Sequence, residues 1–401
     1  MTKIAIMGFG TIGSGVAEVI EKNASRLKKT CGDDIELKYV LDVRDFEGTP
    51  IEKKIVHDYK IIANDPEIAI VVETMGGVEP AYTFVKEMLL NGKHVVTSNK
   101  NLVAEKGAEL IELAKQKSIN FLFEASVGGG IPIIRPLMSS ITGDEVLEVS
   151  GIVNGTTNYM LTKMMAEGSD FDEVLKEAQE KGYAEKDPTA DIEGFDACRK
   201  IAILTSVVCG HQVNYQDIHT EGITKITAAD MAYAKAMNRT IKLLATSKEV
   251  GDGYVALVAP FLVPADHPLY GVNGVFNAIF VKGNMLDDCM FYGRGAGKLP
   301  TASAVVGDIV DCIKHHHTHI ILEWNSEPVK LKDYKMGRAK FFIRTSASVA
   351  EVEAAFGPVE LVKAEGITGE TGAVTAIMTE AEFDKCAEKL SAGIKQMIRM
   401  K

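Results

Sequence analysis

The sequence has no C-x-x-C pair among its six cysteines, Cys31, Cys198, Cys209, Cys289, Cys312 and Cys386. Thiols scattered in this way argue against a disulfide framework in a chain of 401 residues and favour a reducing, cytoplasmic setting. There is no unbroken apolar run of about 20 residues, the length of a bilayer-spanning helix. There is no basic tract, and a net charge of −11 disfavours both nucleic acid and anionic membranes as partners. The opening MTKIAIMGFG starts directly as a strand, so no signal peptide is expected. Short repeats and low-complexity segments are missing. No G-x-S-x-G or cysteine-nucleophile signature occurs, so acyl transfer and phosphorylating aldehyde oxidation have no visible nucleophile. What remains is 46% apolar and 25% charged, the balance of a soluble globular chain with room for two or three domains.

The first third alternates short apolar strands with helices. KIAIMG (3–8), IELKYVLDV (35–43), AIVVET (69–74), KHVVTS (93–98) and NFLFEAS (120–126) read as strands. Helical segments at 15–29, 81–92 and 101–117 separate them, the pattern of a parallel sheet covered on both faces. The middle reads as α+β, with longer strands at 145–155, 254–263, 274–283 and 287–295 and helices at 158–167, 170–181, 190–209 and 227–248. After a polar linker (SEPVKLKDYKMG, 326–337), the remainder has a β-α-β-β-α-β rhythm. The domains expected are therefore 1–140, completed by a returning segment at about 295–315, then 141–325, then 337–401.

IAIMGFGTIGSG fits G-x-G-x-x-G at Gly8, Gly10 and Gly13, with Thr11 and Ile12 between, set between a strand and a helix. The first glycine permits the tight turn, the second lets backbone approach a pyrophosphate, and the third lets helix pack on strand. That context predicts a Rossmann-type dinucleotide-binding domain. The second strand should carry the residue that reads the ribose, and its tip holds Asp42, Arg44 and Asp45. An acid there suits the 2′-hydroxyl of NAD and an arginine the 2′-phosphate of NADP. Both types are present, which leaves NAD or NADP open with a lean to NADP through Arg44.

A hydride transferase also needs a group to stabilise or protonate the oxygen of the reacting carbonyl. Lys100 lies just past the strand KHVVTS, at the edge where open sheets bind ligands. Glu124 ends another strand and precedes three glycines. In DIEGFDACRKIAIL (191–204), Asp196 and Lys200 share one helix face, four residues apart. Spacing alone fits a solvated ion pair worth a few tenths of a kcal/mol. The apolar IAILTSVVC that follows marks a buried helix, and a lysine driven toward a core beside a carboxylate suits proton donation. His315, His316, His317 and His319 come with no cysteine or carboxylate spacing and read as a solvated segment, not a metal site.

Seven blocks in order resemble the homoserine dehydrogenases over residues 1–312: GFGTIGSGV, VVETMGG, GKHVVTSNK, EASVGGGIPII, GIVNGTTNYMLT, GYAEKDPTADIEGFDACRK and GRGAGKLPTASAVVGDIVD. The resemblance implies reversible conversion of L-aspartate 4-semialdehyde and NAD(P)H to L-homoserine. It also implies Lys200 as proton donor with Asp196 as its partner, and Lys100 at the nicotinamide and substrate end. Glu185 and Asp191 would belong to the substrate site, with Glu185 holding the ammonium group. Gly297 would complete the cofactor site. Glu124 with the carbonyls of Val127, Gly129 and Ile131 would bind sodium. A homodimer or homotetramer follows from the same likeness. The C-terminal module is similar to an ACT domain in element order, but TSASVAEVE has no glycine in its first turn. Effector binding and a purely oligomeric role both stay open. Two rivals share the glycine turn without needing the 182–200 block: an oxidoreductase for a related amino or hydroxy acid, and a non-catalytic dinucleotide sensor.

Overall fold

The computed structural model describes residues 1–401 and divides into two compact units. One comprises Met1–Asp144, Ala202–Tyr215 and Gly293–Val329, the other Glu145–Ile201, Gln216–Tyr292 and Lys330–Lys401. No helix is long and apolar enough to cross a membrane, and the six cysteines are free thiols.

The first unit carries a six-stranded sheet of β1 (Thr2–Met7), β2 (Ile35–Leu41), β3 (Ile55–Val56), β4 (Ile68–Glu73), β5 (His94–Thr97) and β6 (Phe121–Leu122). Every pairing is parallel and the order is β3-β2-β1-β4-β5-β6. Ile4, Ala5, Ile6 and Met7 of β1 are fully buried, the continuous apolar run that a strand covered on both faces needs. Strand order reverses at β1 and β4, and sheets of this kind hold ligands beyond the carboxyl ends of the strands at such a reversal. The Lys298–Lys314 helix returns to this core, where Ala302, Val305 and Ile309 pack with Ile4, Ile6, Val16 and Val72. β6 is shorter than NFLFEAS suggests, because Glu124–Ser126 curl into a 3₁₀ turn.

The second unit is built on a mixed sheet. The main path of this eleven-stranded sheet is β7 (Val146–Ile152), β8 (Arg239–Val250), β9 (Gly253–Pro264), β10 (Phe276–Gly283), β11 (Asp288–Arg294), β12 (Arg338–Thr345), β13 (Glu360–Val362), β14 (Thr371–Val374) and β15 (Gln396–Met400), with His219–Thr220 and Met378–Thr379 pairing beside it. They lie in the order β11-β10-β7-β8-β9-β15-β12-β14-β13. The C-terminal strands thus extend the central sheet, with β15 parallel to β9 through Phe261–Arg399 and Leu262–Met400. Elements after residue 337 follow the β-α-β-β-α-β order with one addition, a two-residue strand Met378–Thr379 just before the second helix; the helices are Val349–Phe356 and Glu380–Ala387.

Two helix expectations need correcting. The segment 227–248 is a helix only over Ala228–Ala236; from Arg239 it is β8, paired residue for residue with β9. Asn238, at φ +53°, makes the break, and long-range pairing then overrides a helical pattern in KLLATSKEV. The segment 190–209 is two helices, Thr189–Ile192 and Phe195–Cys209, separated by Gly194 at φ +82°.

Lys242 on β8 has no exposed surface. Its ammonium nitrogen donates to Asn158 Oδ1 (3.1 Å), Val272 O (2.6 Å) and Asn273 Oδ1 (3.0 Å). Burial brings its pKa down from the ordinary 10.5 to about 7. Between those values the unfolded chain binds the extra proton, so stability rises as pH increases from about 7 to 10.5. That contribution cannot exceed about 1.4 kcal/mol per pH unit. Urea unfolding of the parent and of Lys242→Met across this range should give a parent-minus-variant difference with positive slope. A flat difference would refute the depressed pKa.

Candidate active site

The glycine turn leads from β1 into the Thr11–Lys22 helix. Gly8 adopts φ +91° and its N–H donates to Leu41 O at 2.8 Å. A Cβ on Gly13 would lie 2.0 Å from Gly8 O, so helix and turn touch backbone to backbone. Gly10, the residue before the helix, has no neighbour within 4 Å of its would-be Cβ, which leaves open space beside the Thr11 and Ile12 backbone at a positive helix end. At the tip of β2, Asp42 accepts from Phe9 N (2.7 Å) and is gripped by both Arg44 Nε and Nη2 at 2.9 Å. These bonds, led by Arg44, hold its carboxyl down at about 2. Arg44 also donates to Phe9 O at 3.1 Å, and its side chain remains 56% exposed. The acid is thus committed to the turn, and the arginine is the charge turned to solvent. Asp45 meets His57 instead, at 2.9 Å.

Lys100 opens the Lys100–Gln116 helix, capped by Asn99, whose Oδ1 accepts from Leu102 N. The Asn99 amide donates to Gly77 O at 2.6 Å, and its N–H meets Thr97 Oγ1. Thr97 in turn donates to Glu73 at 2.5 Å. Glu73 has no exposed surface and also takes the Met75 and Gly76 N–H groups; burial pushes its carboxyl above the ordinary range despite these donors. Nothing in its sequence position gave Glu73 a role, since the bonds that define it come from β5 and the glycine loop.

The Glu124 carboxylate accepts from Ile133 N (2.5 Å), Ile134 N (2.9 Å) and Arg135 N (2.7 Å). It therefore closes the positive end of the short Ile134–Ser139 helix. Gly129, at φ +56°, sits so close to Gly295 O that a Cβ would be 2.4 Å away. The loop's own bonds run from Ile131 N to Gly128 O and from Gly130 N to Arg294 O, and they leave the carbonyls of Val127, Gly129 and Ile131 out. Oxygen donors of this kind suit a hard cation. Gly297, at φ +117°, begins the Lys298–Lys314 helix, and Lys298 and Ala302 on that helix crowd Gly15 of the Thr11–Lys22 helix.

In the second unit, Lys200 stands where the charged start of the Phe195–Cys209 helix gives way to the fully buried Ile201–Leu204. Its ammonium donates to Val153 O and to Asp196 Oδ2, both at 2.7 Å. The side chains of the pair are 12% and 6% exposed, which excludes the solvated ion pair that spacing alone allows. Asn154 joins the group, donating to Asp191 Oδ1 (2.7 Å) and Asp196 Oδ2 (2.9 Å) while its Oδ1 caps the Gly155–Glu167 helix through Thr157 N. The sequence does not single out Asn154. An asparagine before a helical run signals a cap, but nothing local signals two carboxylates about 40 residues downstream. Glu185 lies apart from this network on an exposed loop, its carbonyl accepting from Gln179.

His219, Glu221 and Glu380 come close enough to suggest a cation, yet Arg399 already fills that space by bonding both glutamates. The histidine run forms no such group: His319 bonds Ile119 O, and His316 lies against His94.

Fold and site together place the chain among the nicotinamide-dinucleotide-dependent oxidoreductases. Residues 8–124 match the family model described as the NAD-binding domain of homoserine dehydrogenase, and residues 132–310 match that described as homoserine dehydrogenase. The chain is 47% identical to the homoserine dehydrogenase of Synechocystis over 321 residues, 78% of this chain and 73% of that one. A solved homoserine dehydrogenase from Thiobacillus denitrificans covers 100% of this chain, and this chain 98% of it, with a TM-score of 0.91 at 32% identity. A hyperthermophilic archaeal homoserine dehydrogenase solved with NADPH matches with a TM-score of 0.66 at 30% identity, over 78% of this chain and 97% of its own. The chain belongs to the homoserine dehydrogenase family. Its reaction is the reversible NAD(P)H-dependent reduction of L-aspartate 4-semialdehyde to L-homoserine.

Proposed function

We propose that Lys200 is the proton donor of this reaction. The observation that carries the reading is an ammonium fixed between Val153 O and Asp196 with little water around it. The bound dinucleotide supplies the hydride. As negative charge builds on the aldehyde oxygen, Lys200 stabilises it and delivers a proton. Asp196 keeps Lys200 charged and oriented, and Asn154 keeps Asp196 and Asp191 in register. Asp191 and the exposed Glu185 receive the substrate's ammonium group. Homoserine oxidation followed at varied homoserine is the test of that assignment: Glu185→Ala should raise KM, and an unchanged KM removes Glu185 from the site.

Arg44 selects NADP, because Asp42 is committed to Phe9 and Arg44 while the guanidinium stays exposed. Run in parallel with NAD and NADP, Arg44→Ser should raise KM for NADP roughly tenfold, the loss of one charge-assisted bond, and leave NAD unaffected. Equal effects on both cofactors would sink this reading. The carbonyls of Val127, Gly129 and Ile131, held in place by the Glu124 clasp, take a sodium ion that stiffens the loop; activity indifferent to replacement of sodium by a bulky organic cation would refute it. Met285, Leu286, Met290 and Tyr292 on and beside the edge strand β11 are exposed, which suits pairing with a second copy in a homodimer or homotetramer. A monomer in sedimentation would exclude that. The C-terminal strands resemble an ACT domain in order; inhibition of homoserine oxidation by threonine assigns them feedback, and indifference to threonine leaves them a role in assembly.

A further inference from the structure

Arg399, on β15, is 3% exposed and carries two carboxylates. Its Nε meets Glu380 Oε2 at 2.9 Å and its Nη2 the other Glu380 oxygen, while Nη1 and Nη2 meet Glu221 Oε2 (3.0 Å) and Oε1 (2.7 Å). Glu221 also takes His219 Nε2 at 2.7 Å, and the His219 ring stacks on Tyr334 at 3.8 Å. Burial alone would raise the Glu221 carboxyl, but His219 and Arg399 hold it at about 2. Planar guanidinium–carboxylate forks fix orientation as well as distance.

What Glu221 fixes is the next residue. A Cβ on Gly222 would lie 2.2 Å from Ile192 O and 2.6 Å from Glu193 Cα. Ile223 N donates to Ile192 O at 2.8 Å. On the other side, Gly194 sits 3.1 Å, measured from its would-be Cβ, from Thr220 and 3.3 Å from Glu221 O. Segment 220–223 therefore grips the Ile192–Gly194 turn from both sides. That turn joins Asp191 to the helix bearing Asp196 and Lys200.

We propose that Arg399 is a positioning residue for homoserine oxidation: through Glu221 it holds segment 220–223 against the Ile192–Gly194 turn and so sets Asp191 relative to Lys200. The inference rests on the Lys200 assignment above. A charge network late in the chain thereby reaches the substrate groups with no effector involved.

Glu221→Gln keeps shape and leaves Arg399 paired with Glu380, and Arg399→Lys keeps charge without the fork. Each should lower kcat/KM for homoserine about tenfold, the scale of a small misplacement of reacting groups, while KM for NADP and the melting temperature stay near parental. Arg399→Lys should retain more activity than Arg399→Met. Parental kcat and KM for homoserine in Glu221→Gln would overturn the proposal, as would equal losses for homoserine and NADP. If the Arg399 variants do not fold, Glu221→Gln decides alone, since Glu221 is a third exposed. Lys200→Ala measured beside them separates the two readings. An active Lys200→Ala refutes the underlying assignment, whereas an inactive one with a silent Glu221→Gln refutes only the positioning role.

Discussion

Lys200→Ala should bind NADPH like the parent and oxidise homoserine 10²–10³-fold more slowly, a loss of about 3–4 kcal/mol of transition-state stabilisation. A preorganised charge counts most where water is scarce, and the Lys200 side chain is 12% exposed. Its nitrogen is already fixed at 2.7 Å from two oxygens, so little reorganisation accompanies the reaction. The variant leaves Asp196 its bond from Asn154, which keeps the helix start in place and lets catalysis be judged apart from folding. The loss should fall on kcat, with KM for NADP unchanged. A kcat near the parental value would end the assignment.

Gly13→Ala should weaken NADPH binding by about two orders of magnitude, as expected when positioned groups shift by about an ångström. Gly13 does not need a left-handed conformation; it needs room. The added carbon would fall 2.0 Å from Gly8 O and 3.0 Å from Thr74 Oγ1. Thr74 donates to that same Gly8 O at 2.7 Å, so the oxygen is already held by a hydroxyl that the new carbon would also crowd, and the helix must move. Overpacking of this kind costs about 1–3 kcal/mol of stability, visible as a lower melting temperature. Gly10→Ala is the contrast. With nothing within 4 Å of the new carbon, stability should hold while nucleotide binding falls, because the methyl occupies space meant for phosphate. Titration of NADPH fluorescence with calorimetry on both variants checks the pair. Parental affinity in Gly13→Ala would mean that the close helix approach is not what builds the site.

The glycine turn and the parallel sheet were readable because both are local: a run such as IAIM, three glycines within six residues, and helices between strands. The Asp196–Lys200 pair was readable as spacing but not as environment, since burial comes from elements remote in sequence. Residues 239–248 were misread because KLLATSKEV satisfies a helical pattern and only the twelve-residue match to β9 makes it a strand. Asn154 and Glu73 escaped for a related reason: their partners are assembled by the fold. Glu124 was picked out for its place in the motif, but the three backbone donors on its carboxylate could not be foreseen from a count of neighbours.

The position of β15 has a bearing on how the protein is made. This strand emerges from the ribosome long after β9, yet it lies inside the sheet with β9 on one side and β12 on the other. Until it arrives, the edge of β9 beyond Leu257 and Val258, which pair with His219 and Thr220, is open at buried-type residues such as Phe261 and Leu262, the sort of surface that recruits foreign strands. Non-local closure of this sort is slow. The nascent second unit therefore spends its most vulnerable interval with β8 and β9 already paired and one seam open, and that seam is the place where a chaperone or an aggregating neighbour would act first.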